Sequence, residues 1–183
     1  MPNLSPIYFD HVSSTPVHPE VLKSQNELYP IHYANSEALH DAGHRIAAMV
    51  DKSIESIAAL LKLKPENNTY PSGATESNNA IIKGIAFANA DKGKHLITTS
   101  VEHSSVLESF KQLEEEFGFD VTYLTVDNEG RISPDELKSA LRPDTTLVSI
   151  MHVNNEIGTI MPIAECAKII KTNSTAYFHV DEV

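Results

Sequence analysis

Tryptophan is absent from this chain and cysteine occurs once, at Cys166. A single thiol excludes an internal disulfide, so the chain does not read as a disulfide-stapled domain. Basic residues are scarce: 14 Lys and Arg stand against 25 Asp and Glu, a formal net charge of -11. That balance argues against a nucleic-acid backbone or an anionic membrane surface as the main partner. A small anion is not excluded, because local backbone amides bind one against the global field. No apolar run approaches the roughly 20 residues that span a bilayer. Residues 1–8 carry neither a basic stretch followed by an apolar run nor an arginine-rich amphipathic pattern, so a cytoplasmic location is expected. No Gly-x-Gly-x-x-Gly follows a strand, which leaves a Rossmann-type dinucleotide domain weakly supported. The rest is an ordinary globular composition, 41% hydrophobic and 21% charged over 183 residues, enough for one sizeable core.

Prolines 2, 6 and 16 flank Ile7-Tyr8-Phe9 and predict an extended arm over residues 1–16. Residues 17–183 read as one α/β domain. A short helix is expected from 19 to about 28, ended before Pro30. A longer one is expected over 37–63, from the spacing of Leu39, Ile46, Val50, Ile54, Ile57 and Leu61, with Gly43 weakening its start. Thr69-Tyr70 reads as a short strand. Strand-like runs follow at 95–99, 121–124, 146–151 and 176–180, alternating with helical patterns at 75–89, 104–117, from 133, and 162–171. Strand–helix alternation predicts a mostly parallel sheet with right-handed crossovers. Cys166 falls within the last helical pattern and reads as a buried structural residue.

Residues 72–79, Ser-Gly-Ala-Thr-Glu-Ser-Asn-Asn, put small residues in front of a helix. Thr75 can cap that helix with its hydroxyl. The stretch is either an ordinary capped turn or a phosphate cradle, since unpaired N–H groups and the positive dipole end attract an anion there. Polar residues also follow three of the strands: Glu102-His103, Asn154-Asn155-Glu156 and Asp181. Each has an ordinary alternative as a cap or a turn. Ligands of open α/β sheets bind outside the carboxyl ends of the strands, however, and all four segments meet at that edge. A phosphorylated pyridine ring suits them together: a helix terminus for the phosphate, a carboxylate for the ring nitrogen, an amide for the ring hydroxyl and a histidine for the ring face.

The segments 72–79, 94–100 with Glu102-His103, 121–124, 141–145, 148–158 and 179–181 closely resemble the cysteine desulfurases of NifS/IscS type, pyridoxal-phosphate enzymes of the class V aminotransferase fold. The resemblance runs over essentially the whole chain, in order. It implies a three-layer α/β/α large domain of the PLP-dependent transferases, mostly parallel and incomplete at its C-terminal end. It implies Ala74 and Thr75 on the cofactor phosphate, His103 stacked on the ring and moving protons, Asn155 on the ring oxygen and Asp181 on the ring nitrogen. It further implies L-cysteine as substrate, L-alanine as product, sulfur passed as a persulfide to an acceptor protein for iron–sulfur clusters or tRNA thiolation, and a homodimer. No metal is implied.

The chain also departs from that pattern. The family's cofactor-attaching lysine, in a Ser-x-His-Lys segment, and its loop cysteine both come later than the position matched by Asp181. Lys83 and Lys111 fall on apparent helix surfaces. The 183 residues alone are therefore expected to be inactive, as the N-terminal part of such an enzyme. Family members usually read Asp-Asn-Ala-Ala-Thr-Thr-Pro where residues 10–16 read Asp-His-Val-Ser-Ser-Thr-Pro, and Glu182 replaces a small residue beside Asp181. The alternatives are a non-catalytic fragment that binds a partner subunit and another class V enzyme such as a selenocysteine lyase.

Overall fold

The computed structural model describes residues 7–11 and 13–183; the parts of the expected 1–16 arm that fall on residues 1–6 and Val12 lie outside them. The chain forms two compact units, Met1–Tyr70 and Pro71–Val183.

In the first unit, Ile7, Tyr8 and Phe9 are exposed and outside any helix or strand. The Tyr8 hydroxyl donates to the Asp10 carbonyl at 2.8 Å. Helix α1, Pro19–Leu28, begins with proline in its first turn, where no intrahelical N–H bond is lost. Helix α2, Asp41–Leu61, starts four residues later than its apolar spacing suggests. The Asn35 side chain accepts from the Glu37 amide and turns that stretch. Gly43 then packs so closely that a Cβ there would stand 2.3 Å from the Ala38 carbonyl oxygen. His40 caps α2, its Nδ1 accepting from the Gly43 amide at 3.1 Å. Lys62, in the left-handed region at φ 57°, ends the helix. A groove of about 570 Å³ between α1 and α2 is lined mainly by Leu28, Tyr29, Ile46, Met49, Val50 and Ile57. The strand expected at Thr69-Tyr70 does not form: among the described residues no strand pairs with it, and Pro71 offers no N–H to a ladder.

The second unit is a parallel four-stranded sheet flanked by helices. Its elements are α3 (Ala74–Ala88), β1 (His95–Thr99), α4 (Ser104–Phe117), β2 (Asp120–Leu124), α5 (Pro134–Ala140), β3 (Thr145–Ser149), α6 (Ile163–Asn173) and β4 (Tyr177–His179). The strand order is β2-β1-β3-β4, every pair parallel. Strand side chains alternate between the faces. Leu96, Val121 and Leu147 join Ile82 and Ala86 of α3 and Val106, Phe110 and Leu113 of α4 in one core. Ile97, Leu124 and Val148 join Leu137 of α5 and Cys166 and Ile170 of α6 in the other. The result is three layers, α/β/α, with roughly 1.5–3 kcal/mol gained per fully buried Leu or Ile. Both β1 and β3 are buried along their whole length, as central strands of a sheet covered on both faces are.

Helix ends follow local chemistry. Gly118, at φ 68°, caps α4. Ser133 accepts from the Glu136 amide and Pro134 opens α5. Beyond the named strands the β3–β4 ladder continues: the Ile150 amide donates to His179 O at 3.1 Å and the His152 amide to Asp181 O at 2.9 Å. This accounts for the apolar run to Met151. Cys166 is buried, and burial pushes its thiol up to about 11. No helix of the described residues is long and apolar enough to cross a membrane.

Candidate functional site

The order β2-β1-β3-β4 means that the chain first builds outward from β1 to β2 and then returns to β1's other side. The crevice at that reversal, between the exits of β1 and β3, is where open α/β sheets bind ligands. Ladder pairing between β1 and β3 stops at Ile97–Val148, so the two exits stand apart.

The terminus of α3 faces this edge. Gly73 is its N-cap, and among the described residues no side chain caps it. The expectation that Thr75 caps the helix is therefore corrected: Thr75 sits inside the first turn, and its carbonyl accepts from the Asn79 side chain at 2.9 Å. Glu76 instead reaches back past the helix start, its Oε2 accepting from the Ser72 amide at 2.7 Å and from the Ser72 hydroxyl at 2.6 Å. Those bonds hold the Glu76 carboxyl below the ordinary carboxylate range. Gly73 is extended, at φ 169°, a conformation open to any residue. Its contribution is space: a Cβ built there would meet nothing within 4 Å. Ala74 and Thr75 thus begin an uncapped helix end with an open approach.

One hydrogen-bonded chain ties α3, α4 and the β4 exit together. Asn78 is buried and its Nδ2 donates to Asp181 Oδ2 at 2.9 Å and to Ser105 Oγ at 2.9 Å. Ser105 Oγ lies 2.8 Å from His103 Nδ1, and that nitrogen also accepts from the Ser105 amide at 3.2 Å. An Nδ1 that accepts from an amide carries no proton, so the neutral ring carries its proton on Nε2. His103, the N-cap of α4, is exposed while its anchor is buried. Asp181 is itself buried, with Oδ1 accepting from the Val183 amide at 3.3 Å. His103 and Asp181, both singled out by sequence, therefore belong to one network. Its centre, Asn78, was missed. The available signal was register: Asn78 falls on the same helical face as Ile82 and Ala86, a polar residue at a core position.

Asn155 stands apart from this network. Its half-buried side chain donates to Glu156 Oε1 at 3.0 Å. The turn carrying it is organised by buried Asn154, whose Oδ1 accepts from the Glu156 and Ile157 amides, each at 3.0 Å. Asn154 Nδ2 crosses to the Val101 carbonyl at 3.0 Å. Gly158, at φ 72°, closes the turn in a conformation that suits glycine.

Glu102 fills the crevice from the β1 side. Its Oε1 accepts from the Thr99 hydroxyl at 2.7 Å and from the Met151 amide at 2.9 Å. Its Oε2 is buried and has no partner among the described residues. Burial, with Asp181 adding to it, pushes the carboxyl up to about 7 against the two hydrogen bonds. His152 Nδ1 lies 3.2 Å from Glu182 Oε1. No His, Cys, Asp and Glu cluster fit for a metal ion occurs among the described residues.

The three-layer α/β fold is that of the PLP-dependent transferases. The aminotransferase class-V pattern matches residues 7–183, and the chain belongs to that family. Within it, the chain is 46% identical over 177 residues to the NifS/IcsS protein homolog of Lactobacillus delbrueckii subsp. bulgaricus, covering 97% of this chain and 46% of that protein. It is likewise 46% identical to the cysteine desulfurase IscS of Dictyoglomus turgidum, covering 97% and 44%. Among solved structures, a NifS-like protein superposes with TM-score 0.93 at 36% identity, covering 97% of this chain and 49% of that one. SspA, solved in complex with cysteine, superposes with TM-score 0.89 at 40% identity, covering 96% and 50%. The chain thus spans about half the length of the relatives it matches.

Proposed function

We propose that this sheet edge is the pyridoxal-phosphate cradle of a cysteine desulfurase, which converts L-cysteine to L-alanine and passes the sulfur to an acceptor. The observation that carries the reading is the chain His103–Ser105–Asn78–Asp181, which fixes a buried carboxylate and an exposed imidazole on one edge beside an uncapped helix end. These residues fit the cofactor. Ala74 and Thr75 offer amides to its phosphate. Asp181, held by Asn78, would keep a ring nitrogen protonated. Asn155 is half-buried on the same edge and can turn from Glu156 to a ring oxygen. His103, with its proton on Nε2, can stack on a ring and exchange a proton there. When bound, pyridoxal phosphate supplies an electron sink for the substrate's electrons.

Cysteine as substrate is supported by the relatives' names and by the cysteine complex of SspA. We infer that sulfur is destined for iron–sulfur clusters or tRNA thiolation, that the complete protein is a cytoplasmic homodimer, and that residues 17–183 belong to its large domain. We infer also that these 183 residues by themselves bind the cofactor reversibly and do not release sulfur. Lys83 is engaged by Asn79 and Lys92 by Asn89, and the Cys166 thiol is buried and hard to ionise.

The test is a pyridoxal 5'-phosphate titration of this chain and of its Asp181→Ala variant, followed by borohydride reduction, mass spectrometry and a sulfide assay with cysteine. Binding lost in the variant, with no covalent adduct and no sulfide, is expected. Absence of binding to the unaltered chain overturns the cradle; sulfide release overturns the inactivity. Binding of a partner without turnover, the second class of function, predicts equal behaviour of both chains.

A further inference from the structure

We propose that Glu102 is the positioning residue of this edge, clamping the exits of β1 and β3 across the crevice so that the Asn154-Asn155 turn is held beside His103 and Asp181. The proposal rests on the cofactor reading only for the identity of the ligand.

The geometry is specific. Ladder pairing of β1 with β3 ends at Ile97–Val148, two residues before the end of β1. Beyond that point two side chains span the gap. Glu102 reaches from the β1 exit to the Met151 amide, and Asn154 reaches from the β3 exit back to the Val101 carbonyl. The two ties run in opposite directions, with Thr99 bracing Glu102 from below at 2.7 Å. Met151 lies three residues before Asn154, so the Glu102 tie sets where the turn begins.

A carboxylate 5% exposed normally has both oxygens partnered. Glu102 has one oxygen doubly bonded and the other orphaned. The Oε1 bonds require an acceptor only, and the neutral acid supplies that as well as the carboxylate does. A proton on Oε2 therefore leaves the clamp intact and removes an uncompensated buried charge. The charged group facing Glu102 is Asp181, from the β4 exit. Thr99 from β1 and the Met151 amide from the β3 exit are uncharged. His103, its neighbour in sequence, turns its Nδ1 to Ser105. A cation placed on Asp181 offsets the repulsion that favours the neutral acid. Ligand binding at Asp181 should therefore move the Glu102 titration to lower pH.

The test follows the Glu102 side-chain carboxyl carbon and the Met151, Glu156 and Ile157 amides by NMR from about pH 5 to about pH 9. It compares the unaltered chain, Glu102→Gln and Glu102→Leu, with and without pyridoxal 5'-phosphate. Expected are a carboxyl step near 7 mirrored by the Met151 amide that Glu102 accepts from, and a shift of that step to lower pH with ligand. Glu102→Gln should keep the amide positions and lose the step. Glu102→Leu should lose at least about tenfold in exchange protection at Met151, Glu156 and Ile157, while α5 and α6 keep theirs. Should Glu102→Leu not fold, the step and its loss in Glu102→Gln decide. Unchanged protection in Glu102→Leu, or a Met151 amide blind to the carboxyl step, overturns the clamp. If the cofactor fails to bind the unaltered chain while the Met151 amide still follows Glu102, the cofactor reading falls and the clamp stands. If Glu102→Leu binds cofactor as the unaltered chain does, the clamp falls and the cofactor reading stands.

Discussion

Asn78 Nδ2 stands 2.9 Å from Asp181 Oδ2, joining two residues 103 positions apart in the chain. The same amide group donates to Ser105, so both its hydrogens are used inside the protein. Asp181 is thereby oriented by α3 before any ligand arrives.

Asn78→Ala should remove both bonds and leave Asp181 Oδ2 buried without that donor. The expected cost is about 1–3 kcal/mol of stability, read as a lower urea midpoint. Pyridoxal 5'-phosphate affinity should fall as well, because Asp181 and Ser105 lose their common anchor. Affinity unchanged at equal folded fraction would show that Asp181 orients itself.

Stability should respond to pH in two opposed ways. The folded-state Glu102 acid is raised to about 7 from an ordinary 4.5, so folding favours its protonated form. That contribution is full below about 4.5 and is lost as pH rises through about 7, on the order of 3 kcal/mol in all. Burial instead lowers His179, which sits 2.8 Å from Ser149 Oγ. Its contribution is present above about 6.5 and is lost as pH falls through its lowered value. Chemical denaturation across this range should show Glu102→Gln abolishing the loss at the alkaline end and leaving the acid loss. A Glu102→Gln profile identical to that of the unaltered chain would refute this assignment.

Glu76 sets two effects against each other at the α3 terminus. Its carboxylate stabilises the helix end through Ser72 and the dipole, yet it stands where a ligand phosphate would approach. Glu76→Gln should lower stability slightly and tighten phosphate-bearing ligands by about two- to threefold at low salt, a gain that vanishes near 1 M salt. Weaker binding in the variant would place the phosphate elsewhere.

Gly93 lies at the opposite edge of the sheet, before β1. A Cβ there would fall 2.1 Å from the Asp144 carbonyl oxygen, a backbone atom that cannot swing away. Gly93→Ala should cost about 1–3 kcal/mol without altering cofactor affinity in the folded fraction. Calorimetry together with titration separates the two.

Cys166 should resist alkylation in the folded protein at neutral pH and react fully in denaturant, because burial both hides the thiol and disfavours its thiolate. Labelling of the native chain would contradict its buried placement.

Much of the fold was legible because its signals are local. The 95–99 strand and the 19–28 and 104–117 helices fall where apolar spacing, proline and Gly118 put them. The misplacements have local causes of another kind: the Asn35 turn and the Gly43 approach delay α2, and Thr69-Tyr70 finds no strand to pair with. His103 and Asp181, which follow strands in the sequence, meet in one hydrogen-bonded network. The start of α3 was not legible: Gly73, not Thr75, is its N-cap, and Glu76 reaches back to Ser72 with a charged acceptor.

The sequence by itself determined the alternation of strand and helix, the parallel sheet and the edge where polar residues gather, because hydrophobic period and turn chemistry act over a few residues. Tertiary structure alone decided that Asn78 holds Asp181 and Ser105, and that Glu102 bridges β1 to Met151. Those bonds join residues 27 to 103 positions apart. Their partners are chosen by strand order and by the exclusion of water from the crevice, which no local pattern of residues encodes.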